Sequence, residues 1–421
     1  MEVAATTTRG AGEPRPALSR SLSLPLAVLF GLGVTIGAGI YVLIGAAAGR
    51  AGFHAPIAFI LAAIVMAPTA ATFAEFAARL PVSAGEAAYV REGFRSEAMS
   101  LAVGMLVICV AMLSAAAIGR GSAGYVSQLT QLPINIAVIL VVLSMGAVAA
   151  WGIRESALLA GFMTLIEIGG LVAIVVVGTW QSPAMFSRLP EIWTGASSLA
   201  GMTGILAATM LAFFAFIGFE SLANVAEEVR EPERTLPRAI FLTLAISTLL
   251  YIAVVWVALI AVPQAELARS QAPLSLVYER VTGASPLLIT CIAIVATING
   301  LIVQMVMASR VIYGLADRKL LPEVLRRVHP ATQTPLHATA ITVGIVLFLA
   351  LLMPLERLAD LTSRVTLVIL ALVNAALALM KLRGSGGDAP GFRVGTWVPI
   401  AGFLACTALL IADLIVRAYL Q

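Results

Sequence analysis

Charge is what this sequence has least of. Asp, Glu, Lys and Arg make up 11% of its 421 residues, against about 25% in an ordinary soluble domain, and that shortfall excludes a water-soluble globule. Cysteine and histidine are nearly as scarce, at three residues each. Cys109, Cys291 and Cys406 stand singly inside apolar runs with no CxxC spacing, which argues against a zinc site or a disulfide framework and leaves core packing as their expected role. His54, His329 and His337 fall in loops or at the ends of apolar runs, so no metal site is expected. The chain has no GxxxxGK[ST] loop, hence no direct use of ATP. It also has no HExxH, no GxSxG and no Cys–His constellation, so it is not expected to be an enzyme or to carry a cofactor. No basic face with interleaved aromatics occurs, which excludes nucleic acid as a partner.

What is abundant is apolar. Hydrophobic residues make up 60% of the chain and the mean hydropathy is +1.01. They come in blocks of about 20, the length a helix needs to cross a bilayer, and they are apolar on every face, unlike the alternating strands of a membrane barrel. The pattern predicts an all-α polytopic membrane protein with helices near 24–48, 56–78, 97–118, 134–151, 157–180, 199–226, 238–262, 284–312, 336–353, 358–380 and 396–416, about 11 in all.

Residues 1–23 are polar, carry Arg9, Arg15 and Arg20, and lack a small-residue cleavage site. They are expected to be a cytoplasmic N-terminal tail, not a signal peptide. With that tail inside, 18 of the 26 basic residues fall in inside segments and 8 outside, the asymmetry of the positive-inside rule. The C-terminus is then outside, and the pI near 9.2 reflects loop arginines that meet anionic lipid. Arginine far outnumbers lysine and alanine is plentiful, a composition that points to the inner (plasma) membrane of a bacterium.

Two spans differ from the others. In the first, Gly31, Gly33, Gly37 and Gly39 place four glycines in nine residues; in the sixth, Gly218 stands beside Glu220. A glycine in a helix interior costs about 1 kcal/mol relative to alanine, and a carboxylate at membrane depth about 2.5 kcal/mol or more. These two spans lead two blocks of five, 24–180 and 199–380. Because five is odd, the second block has inverted topology. Interrupted helices at matching places in inverted halves mark a transport site. For the first helix alone, close packing of the GxxxG kind through Gly33 and Gly37 is the competing reading.

Three segments resemble the amino acid, polyamine and organocation (APC) superfamily of permeases, in its amino acid permease branch. They are Gly33-Val-Thr-Ile-Gly-Ala-Gly-Ile-Tyr41, Phe214-Ala-Phe-Ile-Gly-Phe-Glu-Ser221 with its tail from Ala226 to Pro237, and Ala308 to Pro322 with His329-Pro330 and Thr334-Pro335. Their order and spacing agree with the family over about residues 22 to 400. The resemblance implies a five-plus-five inverted repeat (LeuT-like) with broken first and sixth helices. The helix 396–416 is then an extra element outside the core, in a family that often has twelve spans.

Substrate is implied to lie between the two breaks. Backbone N–H groups at Thr35, Ile36, Gly37, Ala38 and Gly39 suit an α-carboxylate, and carbonyls of Phe214, Ala215, Phe216 and Ile217 suit an α-ammonium. In similar transporters the aromatic at the position of Phe214 closes over the substrate. Two acids are candidates for proton coupling or gating. Glu220 is implied to be a pH-sensitive gate, with a plug for the freed backbone as the alternative. Glu167, in the fifth helix, stands where one branch of the family has lysine. A carboxyl withdrawn from water holds its proton more tightly, so it is a proton-carrier candidate, with a local hydrogen bond to Thr164 as the alternative.

Glu75 with Arg79, and Glu227, Glu228 and Arg230, are expected to be surface pairs at an inner gate. Asn299 and Gln304 are expected to bond between helices. The function expected is secondary active transport of a small-molecule substrate, an amino acid or related amine, by alternating access coupled to protons. An obligate exchanger and a nontransporting sensor on the same fold are the alternatives. Neutral substrates are favoured, since no acidic residue stands opposite a cationic side chain, and the oligomeric state is left open.

Overall fold

A computed structural model describes residues 22–80, 85–151, 157–317, 319, 321–330, 332–384 and 391–420. Most of the expected tail 1–23 lies outside the described residues. Eleven long helices follow in order: α1 Leu24–Ala51, α2 Ala55–Arg79, α3 Glu97–Thr130, α4 Ile134–Trp151, α5 Ala157–Gln181, α6 Leu199–Phe216, α7 Pro232–Ala261, α8 Leu287–Asp317, α9 Leu336–Leu352, α10 Leu355–Leu382 and α11 Trp397–Leu420. Nine stretches of the described residues are long and apolar enough to cross a membrane, one of them running from Gly39 in α1 through α2; Leu24–Gly37 and Leu336–Leu352 are shorter apolar helices. The chain is a multi-pass membrane protein. Extended pairing among the described residues is confined to one bridge, in which the Leu22 N–H donates to Glu228 O at 3.0 Å and the Arg230 N–H donates to Leu22 O at 2.9 Å.

Local chemistry sets the helix starts. Ser96 caps α3 by accepting the Met99 N–H, and Ser198 caps α6 by accepting the Gly201 N–H. Proline opens α1 and α7, where its missing N–H is no loss. Trp151, Trp180 and Trp397 stand exposed at the ends of α4, α5 and α11, where amphipathic rings meet a membrane interface. Cys406 is buried as expected, but Cys109 and Cys291 face outward: an apolar run in a membrane protein has a lipid side as well as a core side.

α1 and α6 run antiparallel along each other at the centre. Arg50 reaches Ala207 O, Gly39 lies against Ala215, and Gly31 lies against Leu222. The expected break in the first helix is not there: α1 is continuous from Leu24 to Ala51. Its glycines instead bring neighbours close, Gly33 to Thr164 of α5, Gly37 to Ala296 of α8 and Gly39 to the Ala215 backbone. Each lost side chain lets a different helix approach, as small residues do between membrane helices.

Candidate functional site

The sixth span does break, a little later than expected. α6 ends at Phe216, Ile217 is extended at φ −64°, ψ 128°, and Gly218 takes φ +136°. A side chain at Gly218 would be strained by that φ and would also meet the α1 backbone, its Cβ 2.9 Å from Val34 C and O and 3.0 Å from Thr35 Cα. The helix resumes at Ser221–Asn224. The Glu220 carboxylate accepts the Gly218 N–H at 2.8 Å, so it bonds to backbone freed by the break.

Two of the four carbonyls expected to be free before the break, those of Phe214 and Ala215, have partners. Phe214 O accepts the Ile217 N–H at 3.1 Å. The Tyr251 hydroxyl of α7 lies 2.9 Å from both Ala215 O and Thr35 O and shares its proton between them, tying α6 to α1. Its ring packs on Phe216 and Phe59. Thus Gly39 lies directly against Ala215, Thr35 and Ala215 share the Tyr251 hydroxyl, and Ile36, Phe214, Phe216 and Ile217 are buried in the same two segments. The side chain of Ala38 lies outside the described residues.

Polar atoms without partners lie on α1 and on the helices packed against it. Among the described residues, Thr35 Oγ1, both carboxyl oxygens of Glu167 and Gln304 Oε1 close no hydrogen bond, although Asn299 is the polar side chain that faces Glu167. Glu167 is fully buried. The Tyr41 hydroxyl of α1 donates to its backbone O at 2.7 Å, and a Cβ on Gly37 would lie 3.7 Å from its Oε2. Buried polar groups are normally satisfied, so an unpartnered acid against the glycine face of α1 marks chemistry more than structure.

Two ion clusters bracket the site. At the end of α1, Arg50 binds Asp360 of α10 through two bonds of 2.9 and 3.0 Å; Arg417 of α11 reaches Asp360 at 2.8 Å and Asp413 at 3.4 Å, and Arg364 reaches Asp413 at 2.7 Å. At the other end Glu75 pairs with Arg79 and with Lys381 at 2.8 Å and accepts the Val394 N–H at 2.8 Å. Glu75 is therefore buried, not a surface residue: partners from α10 and the segment before α11 cover it. Glu228 stays partly exposed. The side chain of Glu227 lies outside the described residues.

Sequence reasoning missed the Arg50–Asp360–Arg417 cluster. The signal was available, because Asp360 and Asp413 are acids within apolar runs, as Glu167 is.

The profile of a family described as amino acid permease matches residues 22–418. An uncharacterised transporter of Mycobacterium tuberculosis strain H37Rv is 34% identical over 405 residues, covering 94% of this chain and 86% of its own. The branched-chain amino acid permease BcaP of Bacillus subtilis is 29% identical over 390 residues, covering 86% and 81%. A vacuolar protein of Arabidopsis thaliana named cationic amino acid transporter 2 is 30% identical, covering 87% of this chain and 60% of its own.

Proposed function

Since this chain belongs to the amino acid permease family of the APC superfamily, we propose that it carries an amino acid or related amine across the membrane by alternating access at the α1–α6 contact. Its family and relatives are transporters, not enzymes. The observation that carries the site is the meeting of a non-helical turn at Ile217–Glu220 with the glycine face of α1, beside the unpartnered Thr35 hydroxyl and Glu167 carboxyl. The relatives' names span branched-chain and cationic amino acids, so side-chain class is the finer question; the absence of an acid assigned opposite a cationic side chain favours neutral substrates.

Because α1 is continuous, its N–H groups at Gly37 and Gly39 meet a carboxylate only if α1 unwinds there. Glycine lowers that barrier by about 1 kcal/mol per residue relative to alanine. On this reading the turn of α6 is the fixed half of the site, the glycine stretch of α1 is the half that opens, and Phe214 is the gate. The halves 24–180 and 199–380 rock against each other, with α11 outside them. Glu167 takes up the coupled proton, which suits a fully buried acid whose polar neighbour, Asn299, carries no charge. The protein lies in the plasma membrane with its N-terminus inside and its C-terminus outside, as the arginine distribution supports.

Uptake of the twenty labelled amino acids, pooled, into proteoliposomes with and without an inward proton gradient tests this. Accumulation that collapses with the gradient is the expected result. Uptake that needs preloaded amino acid and ignores the gradient would replace proton coupling by obligate exchange.

A further inference from the structure

On the Glu220 side of the α6 turn lies a second space, narrow, partly open and mostly apolar, that two carboxyl groups line. The short helix Gly85–Phe94 is fixed in place from three directions. At Gly93 its backbone touches α10, where an added Cβ would fall 2.6 Å from Ala376 O. The Arg383 guanidinium donates to Gly93 O at 2.9 Å, and Tyr89 stacks on Phe76 of α2 with ring centroids 4.5 Å apart. So held, the helix presents Glu86 to a cavity of about 30 Å³ that Glu220 also lines. α3 and α8 supply apolar wall through Val107, Val110 and Met307, and α10 supplies Thr366. Thr366 is 4% exposed and its hydroxyl has no hydrogen-bond partner among the described residues. No described basic side chain lines the space.

Two partly buried carboxyl groups on one narrow space without a counter-charge repel one another when both are anionic. Either one of them carries a proton or a cation lies between them. The cavity has room for about two water-sized particles, which excludes an amino acid. The donors are all oxygen, which suits hard cations.

We infer that Glu86, Glu220 and Thr366 form a site for one small monovalent cation, a proton or a sodium ion, adjoining the α1–α6 contact through Glu220. The groups that face Glu86 are Tyr89 on its own helix and Glu220 across the space; α3, α8 and α10 bring no described ionisable group to the cavity wall. Burial pushes the Glu86 carboxyl above the usual carboxylate range, in keeping with a group that holds a cation rather than standing bare. The site is joined mechanically to the break, because the Glu220 carboxylate also accepts the Gly218 N–H. Neutralising that carboxylate weakens a charge-assisted bond to the residue that closes against α1. As a coupling site it rests on the transport reading; as a cation site it does not.

The test has one readout that needs no transport. Thermal unfolding of the purified full-length protein is followed in acidic and alkaline buffer, and in sodium chloride against choline chloride. The wild-type midpoint is expected to rise with one of the two cations, and Glu86→Gln to lose that rise; a rise with acid assigns the site to a proton, a rise with sodium to the metal ion. A wild type indifferent to both, or a Glu86→Gln protein that responds as fully as wild type, overturns the site. In proteoliposomes, the gradient-driven accumulation ratio of Glu86→Gln, normalised to its own exchange rate, is expected to fall about tenfold, with partial recovery in Glu86→Asp. An unchanged ratio overturns the coupling role. If the midpoint responds as expected but no amino acid moves, the transport reading fails and the cation site stands.

Discussion

One methyl group tests the α1–α6 contact. In Gly39→Ala the new Cβ would lie 2.7 Å from Ala215 Cβ, nearer still to Ala215 Cα, and 3.2 Å from its carbonyl carbon. Carbon atoms prefer about 3.5–4.0 Å, and backbone cannot swing aside, so the helices must part by about 1 Å. Overpacking of this kind costs about 1–3 kcal/mol or more, while alanine's helix preference returns about 1 kcal/mol. The net expectation is destabilisation of up to about 2 kcal/mol. Gly37→Ala is the matched control two residues away, with its Cβ 3.2 Å from Ala296 O and 3.7 Å from Glu167 Oε2, a fit that needs shifts of only tenths of an ångström. It is expected to melt at or slightly above wild type. The same stiffening makes unwinding of α1 harder by about 1 kcal/mol, so exchange should slow about fivefold. Both proteins are compared by thermal unfolding in detergent and by exchange in proteoliposomes. A Gly39→Ala protein as stable as Gly37→Ala would refute the packing argument, and unslowed exchange in Gly37→Ala would refute the unwinding of α1.

Tyr251→Phe removes the hydroxyl shared by Thr35 O and Ala215 O and should lower stability by about 1–3 kcal/mol, because two buried carbonyls lose a donor; an unchanged melting midpoint would contradict that. Asp360→Asn leaves Arg50 and Arg417 without their shared partner. Both arginines are partly exposed, so the cost should be about 1–3 kcal/mol and not the 3–5 of a fully buried pair. A double-mutant cycle with Arg50→Ala should show coupling, and strict additivity would refute the link. Glu167→Gln should abolish the response of accumulation to an imposed proton gradient. If the variant's accumulation follows that gradient as wild type's does, Glu167 is not the proton carrier.

Run length and hydropathy were enough to read eleven helices, because a bilayer fixes how long an apolar helix must be. The break in the sixth span was also legible, from Gly218 beside Glu220, but its position was read two or three residues early. A glycine at positive φ sits inside the turn, so α6 continues almost up to it. The glycines of α1 defeated the reading for another reason. Whether a glycine run opens a helix or seats a neighbour depends on what lies against it, and Thr164, Ala296 and Ala215 are distant in sequence. Glu75 was read as exposed because its partners Lys381 and Val394 arrive from some 300 residues away. Glu86 carried no signal, since a lone acid in a short polar stretch is ordinary until Glu220 is seen across the cavity.

The central claim is that this chain moves amino acids. It is tested most directly by counterflow, in which proteoliposomes preloaded with unlabelled amino acids are given the labelled set and compared with vesicles that lack the protein. Trans-stimulated entry of at least one amino acid, slowed in Gly37→Ala, is the result this account requires. No stimulation above protein-free vesicles by a folded, reconstituted wild type would contradict it.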